Sequence, residues 1–286
     1  MNSKNLAEDI YINNSLAFAD LQLFTVIIVV SLPFAVIAGF AFGTWRRRVV
    51  RRSGQEKDLF VGETTVGAFL ALLGLLLAFT FGNALTHNFE RKSAIANEAA
   101  ALGTAFNYSD LLPDEKAIGL KKALLEYTRT RILPEATSLH SDQEVTKYLL
   151  QTLESQAKLW PMARSTFDPA IVIDVSTLIA ASISDVLNAH VRRMSSLPAP
   201  VSFFATWATI GSAAVALFLL GNRAALQQRE LSWRTFVFCA FLVAIILIIL
   251  DTQRATEGYI RLDQGALYTT IIRMEQSINA AAVPSN

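Results

Sequence analysis

Four stretches of the chain carry no charged residue and are apolar almost throughout: Leu21 to Gly43, Val66 to Leu85, Val201 to Leu220 and Thr235 to Leu250. A bilayer core of ~30 Å takes ~20 helical residues, with about 17 near the lower limit. The first three stretches meet that length. The fourth is shorter, and Trp233 and Arg234 at its start supply an aromatic ring and a snorkelling side chain to anchor it. The pattern predicts an all-α polytopic membrane protein, with four transmembrane helices and a helical extramembrane bundle between the second and third. Its parts are an N-terminal segment (1–20), spans at 21–43, 66–85, 201–220 and 235–250, loops at 44–65 and 221–234, a helical domain over 86–200 and a tail over 251–286.

Between the second and third spans the pattern stays helical. No breaker stands at the end of the second span, and Phe89, Ile95, Ala99, Leu102 and Phe106 continue it. One long helix is expected to run on through 86–108 and end near Tyr108. Pro113 suits the first turn of a second helix, with Asp114 and Glu115 favourable at its positive end; that helix stops before Pro134. Ser141-Asp142-Gln143-Glu144 reads as a capping box for a third helix running toward Trp160-Pro161. Asp168-Pro169 opens a fourth, with Ile171, Val175, Leu178, Ile179, Ser182 and Val186 at helical spacing, ending near Ser195. The tail mixes charges, contains Gly258 and ends in a polar Pro284-Ser285-Asn286 that reads as frayed.

Charge gives the orientation. Arg46, Arg47, Arg48, Arg51, Arg52 and Lys57 follow the first span, against Glu56 and Asp58; Arg223, Arg229 and Arg234 stand against Glu230 between the third and fourth. Short loops rich in Lys and Arg stay in the cytoplasm. Four spans then put both termini and the helical domain outside, which in a bacterial inner (plasma) membrane means the periplasm. A cleavable signal would place its positive charge before the apolar stretch, so the first span reads as uncleaved.

Composition narrows the function classes. Of 286 residues, 52% are hydrophobic and only 17% charged, below the roughly one quarter of a soluble domain. A net charge of +1 offers no basic face to nucleic acid. The single cysteine, Cys239, lies inside the fourth span, where it reads as packing. No enzyme signature is present: no phosphate-cradling glycine loop, no nucleophile elbow, and no pair of histidines at zinc spacing. His87 and Glu90 at (i, i+3) read as a surface hydrogen bond before half a metal site. No catalytic, cofactor or metal residues are assigned. The absence of charge within the spans disfavours a proton-coupled pump or voltage sensor. Arg192-Arg193, near the third span, are expected to pair with acids of the helical domain or with lipid phosphates.

Two stripes mark the spans. Small residues recur at helical spacing: Ala35, Gly39 and Gly43 in the first and Ala208, Ser212 and Ala216 in the third at steps of four, and Gly67, Ala71, Gly74, Ala78 and Gly82 along the second at steps of three or four. Such stripes let helix backbones approach closely in lipid, within one chain or between copies; packing within the chain is the simpler expectation. At ~100° per residue, Leu72, Leu76, Phe79, Thr80, Asn83, His87 and Glu90 share another side of the second helix. This side is apolar in the membrane and polar at its end. Lining a pore, it would form a hydrophobic constriction below a polar mouth, and such constrictions gate by dewetting. Standing alone, it better suits Leu72, Leu76 and Phe79 touching lipid or a neighbouring helix, with His87 and Glu90 in water.

Several segments resemble the bestrophin-like family of bacterial membrane proteins, a domain of unknown function. They are Leu77-Ala78-Phe79-Thr80-Phe81, Glu90-Arg91-Lys92, Asn97 to Ala105 with Glu98, Leu111-Leu112-Pro113, Tyr127 and Arg131, and Leu250-Asp251, Arg254 and Gly258-Tyr259-Ile260. The resemblance covers most of Val61 to Arg273; its most specific stretch is Glu98 to Pro113. It departs after Asp251, where Ala255 stands in place of an expected proline. Kinship with bestrophin anion channels would imply two spans, a helical domain and two more spans, with the second span lining a pentameric pore and Phe79 in its neck. It would also imply a cytoplasmic helical domain, opposite to the charge pattern. Glu98 and Arg131 are its motif positions of first interest, as a charge pair between helices.

Two classes of function follow. One is an oligomeric ion (anion) channel, its partners being the lipid bilayer, further copies of the chain and small anions. The other is a non-conducting membrane sensor or scaffold whose helical domain binds a partner.

Overall fold

A computed structural model describes residues 21–53, 63–132, 142–196, 203–253 and 263–282. They form eight α-helices: α1 (Leu21–Ser53), α2 (Glu63–Tyr108), α3 (Asp114–Thr130), α4 (Asp142–Arg164), α5 (Ile173–Ser196), α6 (Phe203–Leu226), α7 (Trp233–Gln253) and α8 (Gly265–Ala282), with a 3-10 turn at Ser109–Leu111. There is no strand among the described residues. Helices α1, α2, α6 and α7 are each long and apolar enough to cross a membrane. The chain is an all-α, multi-pass membrane protein.

The described residues divide into two compact units. One, the membrane unit, holds α1, the first part of α2 up to Asn88, α6 and α7. Its core is apolar: Ile28, Leu32 and Val36 from α1, Leu73, Leu77 and Ala84 from α2, Ile210, Ala213 and Leu217 from α6, and Leu242, Ile246 and Ile249 from α7. Cys239 is a free, buried thiol in that core. The α1–α6 pair is the tightest. An ideal Cβ on Gly39 would lie 2.0 Å from the Phe218 carbonyl oxygen, and one on Gly221 would lie 2.1 Å from that of Val36. Gly43 meets Asn222 and Ala225, and Arg47 donates to the Ala225 carbonyl at 3.3 Å. Contacts advance in step along both helices, from 39 and 218 to 47 and 225, so α1 and α6 run parallel.

The other unit, the helical unit, holds the end of α2 from Phe89, then α3, α4, α5 and α8. Leu102, Leu124, Tyr127, Leu159, Ile179, Ile183 and Leu267 are fully buried in it. The end of α2 at Tyr108 agrees with its apolar pattern, which has no breaker before Ser109. Pro113 sits just outside α3, at its N-cap, with Asp114 and Glu115 in the first turn. Lys116 joins Asp168 at 2.8 Å and Lys158 joins Glu126 at 2.9 Å.

Several boundaries differ from the sequence pattern. Helix α1 continues through Arg46–Arg52, so the basic stretch after the first span begins as helix; an arginine-rich segment is a good helix former once its polar side chains reach water. Helix α4 passes Pro161, which forgoes the one bond its N–H would give the Ala157 carbonyl, and ends three residues later at Arg164. Helix α5 begins at Ile173, after Asp168-Pro169. The Asp168 carboxylate accepts the Ala170 N–H at 3.0 Å, a local turn that competes with helix. The tail is the largest revision. Its residues 265–282 form α8, which lays Leu267, Ile271 and Met274 against α3 and pairs Glu275 with Arg129 at 2.6 Å. Ser141, Pro134, Pro198, Gly258 and Pro284 to Asn286 lie outside the described residues.

Candidate pore-lining stripe and a buried charge cluster

In the membrane unit, the side of α2 that turns away from the core carries the residues of the expected stripe. Leu72 is 62% exposed and Phe79 68%, with Asn83 also exposed and Leu76 and His87 half-buried; Glu90, the last of the stripe, is exposed where α2 enters the helical unit. Glu90 and His87 both make polar interactions. Thr80 departs from the stripe. It is buried, and its hydroxyl lies 3.2 Å from that of Thr209 on α6 while donating to the Leu76 carbonyl at 2.5 Å. A hydroxyl in an apolar layer is costly unless bonded, and on that side it meets the Thr209 hydroxyl. Thr80 therefore turns toward α6 within the chain.

The small-residue stripes split in two. Those of the first and third spans meet each other at the α1–α6 crossing. The one on α2 meets no other helix at its glycines among the described residues: apart from α2's own backbone, nothing there lies within 4 Å of a Cβ built on Gly67, Gly74 or Gly82. Beside it, α2 and α7 leave an open groove of about 540 Å³, lined only by apolar residues and Gly74, with Leu77, Phe81, Phe241 and Ile245 among them.

The helical unit holds an arrangement of different chemistry. A hydrocarbon core takes ~20 residues of a helix, and the apolar part of α2 supplies them before Glu90-Arg91-Lys92. Glu98 lies beyond that point, wholly buried. Arg131, at the C-cap of α3, donates from Nε to Glu98 Oε1 at 2.7 Å, and Arg193 of α5 donates from Nη1 to Oε2 at 2.6 Å. Both guanidiniums are 1% exposed. One carboxylate thus ties three helices. Burial opposes its charge, but Arg131 and Arg193 outweigh burial and hold the Glu98 carboxyl below the usual range. His190, one turn before Arg193, has Nδ1 3.9 Å from Glu98 Oε1, too far for a hydrogen bond. Burial, and after it the charge of Arg131, brings His190 down to about 4, against the pull of Glu98. The imidazole is therefore neutral at physiological pH. Its ring packs near Tyr127, with centroids 6.4 Å apart.

The pair Glu98–Arg131 is the one the family motif singles out. Arg193 joins it as a partner for an acid of the helical domain, whereas Arg192 stays exposed. His190 carried no functional expectation. Its signal was available, since Ile179, Ile183, Val186, His190 and Arg193 share one buried face at helical spacing. Of the other motif residues, Leu112 and Asp251 are buried, Pro113 is exposed, and Arg254 and Gly258 lie outside the described residues. Among the described residues no three His, Cys, Asp or Glu gather as metal ligands.

No protein-family model matches the sequence, and no curated protein does. Solved structures match the fold. A bacterial bestrophin homologue from Klebsiella pneumoniae superposes with a TM-score of 0.58 at 14% identity, over 88% of this chain and 98% of that one. A point-substituted form of that homologue gives the same score and identity over 88% and 99%. A structure described only as a membrane protein gives 0.56 at 14% identity, over 89% and 99%. The chain is thus bestrophin-like in fold across nearly the whole of the matched chains, as its motifs indicated.

Proposed function

We propose that this chain assembles into a homo-oligomeric channel for small anions, with α2 lining the pore. Leu72, Leu76, Phe79, Asn83, His87 and Glu90 form the lining, with Phe79 at the hydrophobic constriction. The observation that carries this reading is the outward face of α2: large apolar side chains that the described helices leave uncovered, on the helix that would line a pore by analogy with bestrophin anion channels, whose fold the chain is similar to. Seen from the sequence alone, contact with lipid or a neighbouring helix served better; the similarity to bestrophin homologues in fold is what supports the pore.

Purified oligomer in liposomes is expected to conduct chloride, and Phe79→Ala to raise the current several-fold by removing the ring that favours dewetting. Flat recordings from verified oligomer would remove the channel and leave the sensor or scaffold. We further assign both termini and the helical unit to the periplasm, on the arginines at the end of α1 and between α6 and α7. Alkaline phosphatase inserted between α3 and α4 is expected to be active; an inactive enzyme there, with a fluorescent protein glowing at the same point, reverses the assignment.

A further inference from the structure

The charge cluster contains a binding edge that its own ion pairs leave unused. Glu98 gives one oxygen to Arg131 and the other to Arg193, so a single carboxylate charge is divided between two guanidiniums. Arg193 uses only Nη1 in that contact. Among the described residues its Nε and Nη2 are buried and have no hydrogen-bond partner, although the residue is 1% exposed. On a planar guanidinium these two nitrogens share one edge, and their N–H bonds point the same way, in the fork that grips an anion with two donors. A buried charged donor without a partner is costly, and natural interiors satisfy such groups with protein, ordered water or an ion. His190 Nδ1, in the same cluster, is likewise buried without a hydrogen-bond partner and can supply a further N–H.

We infer that the Nε–Nη2 edge of Arg193 binds a small monovalent anion inside the helical unit, which completes the coordination that Glu98 begins. The ligand class is an anion that accepts two N–H bonds at once and fits among packed helices, such as chloride or nitrate; gluconate is too large. The site joins α2, α3 and α5 through the groups it completes, so occupancy stabilises their packing. It is separate from the outward stripe of α2 and needs neither conduction nor assembly.

The test is thermal unfolding of the full chain in detergent, with gluconate exchanged for chloride or nitrate at constant ionic strength. Wild type is expected to gain a few degrees in a saturable manner with either small anion. Arg193→Lys keeps the charge but lacks the two-donor edge, and is expected to lose the saturable part. No anion dependence in wild type, the result for a site filled by water alone, overturns the inference. An undiminished response in the variant does so too. Should Arg193→Lys fail to fold, wild-type crystals soaked in iodide decide: an anomalous peak within hydrogen-bond distance of Arg193 Nε supports the site, and its absence overturns it.

Discussion

Glu98→Gln is expected to destabilise the helical unit by about 3–5 kcal/mol, because it leaves two buried guanidiniums without their counter-charge. Glutamine fills the same space and still accepts one N–H. The loss therefore reads the charge and not a cavity. Replacing the whole cluster with apolar residues of similar size, Glu98→Leu with Arg131→Met and Arg193→Met, is expected to cost far less, since no orphan charge remains. Urea unfolding of the detergent-solubilised protein compares them; Glu98→Gln within about 1 kcal/mol of wild type would refute the role given to the carboxylate. The same cluster makes the unit sensitive to acid. His190 titrates at about 4 when folded, below its ordinary 6.5, so the unfolded chain takes up the proton first as pH falls. Stability present above 6.5 is lost between 6.5 and about 4, amounting to about 3 kcal/mol at roughly 1.4 kcal/mol per pH unit. Glu98, held low, extends the loss to more acid pH. His190→Gln is expected to flatten the first part and leave the second.

What could be read from the sequence, and what could not, follows from the physics of each element. Apolar runs of membrane length declare themselves because lipid demands uniform composition, and α2 declared its length because nothing in it breaks a helix. The tail hid α8 for the opposite reason. Leu267, Ile271, Met274 and Ile278 stand at helical spacing but among polar and charged residues, and burying that face depends on a partner, α3, far away in the chain. Thr80 illustrates the limit of a helical wheel. It sits at the edge of the stripe, and only the hydroxyl of Thr209 on another helix decides which way it turns. Glu98 and Arg131 were legible through motif resemblance, whereas Arg193 and His190 needed the buried face of α5 to be read with its polar members left in place. Small-residue spacing alone could not separate the α1–α6 crossing from the uncovered stripe of α2, because in both the small residues line up on one side of a helix.

Substitutions at glycines separate those two stripes by effect. Gly39→Ala and Gly221→Ala are each expected to cost about 3 kcal/mol or more, beyond the usual range for an added methyl in a packed core. The reason is what the new Cβ would meet: at Gly39 it would stand 2.0 Å from a backbone oxygen of Phe218, and at Gly221 2.1 Å from that of Val36. Backbone atoms cannot swing aside as a side chain can, so the whole of α1 must draw back from α6. That retreat breaks the contacts at Gly43 and the Arg47–Ala225 bond with it. In lipid, where apolar surface gains nothing from leaving water, close backbone approach is the main source of helix association, and its loss is not offset. Gly67→Ala, Gly74→Ala and Gly82→Ala meet open space in the single chain and are expected to leave its fold intact. Thermal unfolding of monomer in detergent measures both sets. Equal tolerance at Gly39 and Gly74 would mean that α1 and α6 do not touch as closely as these distances require.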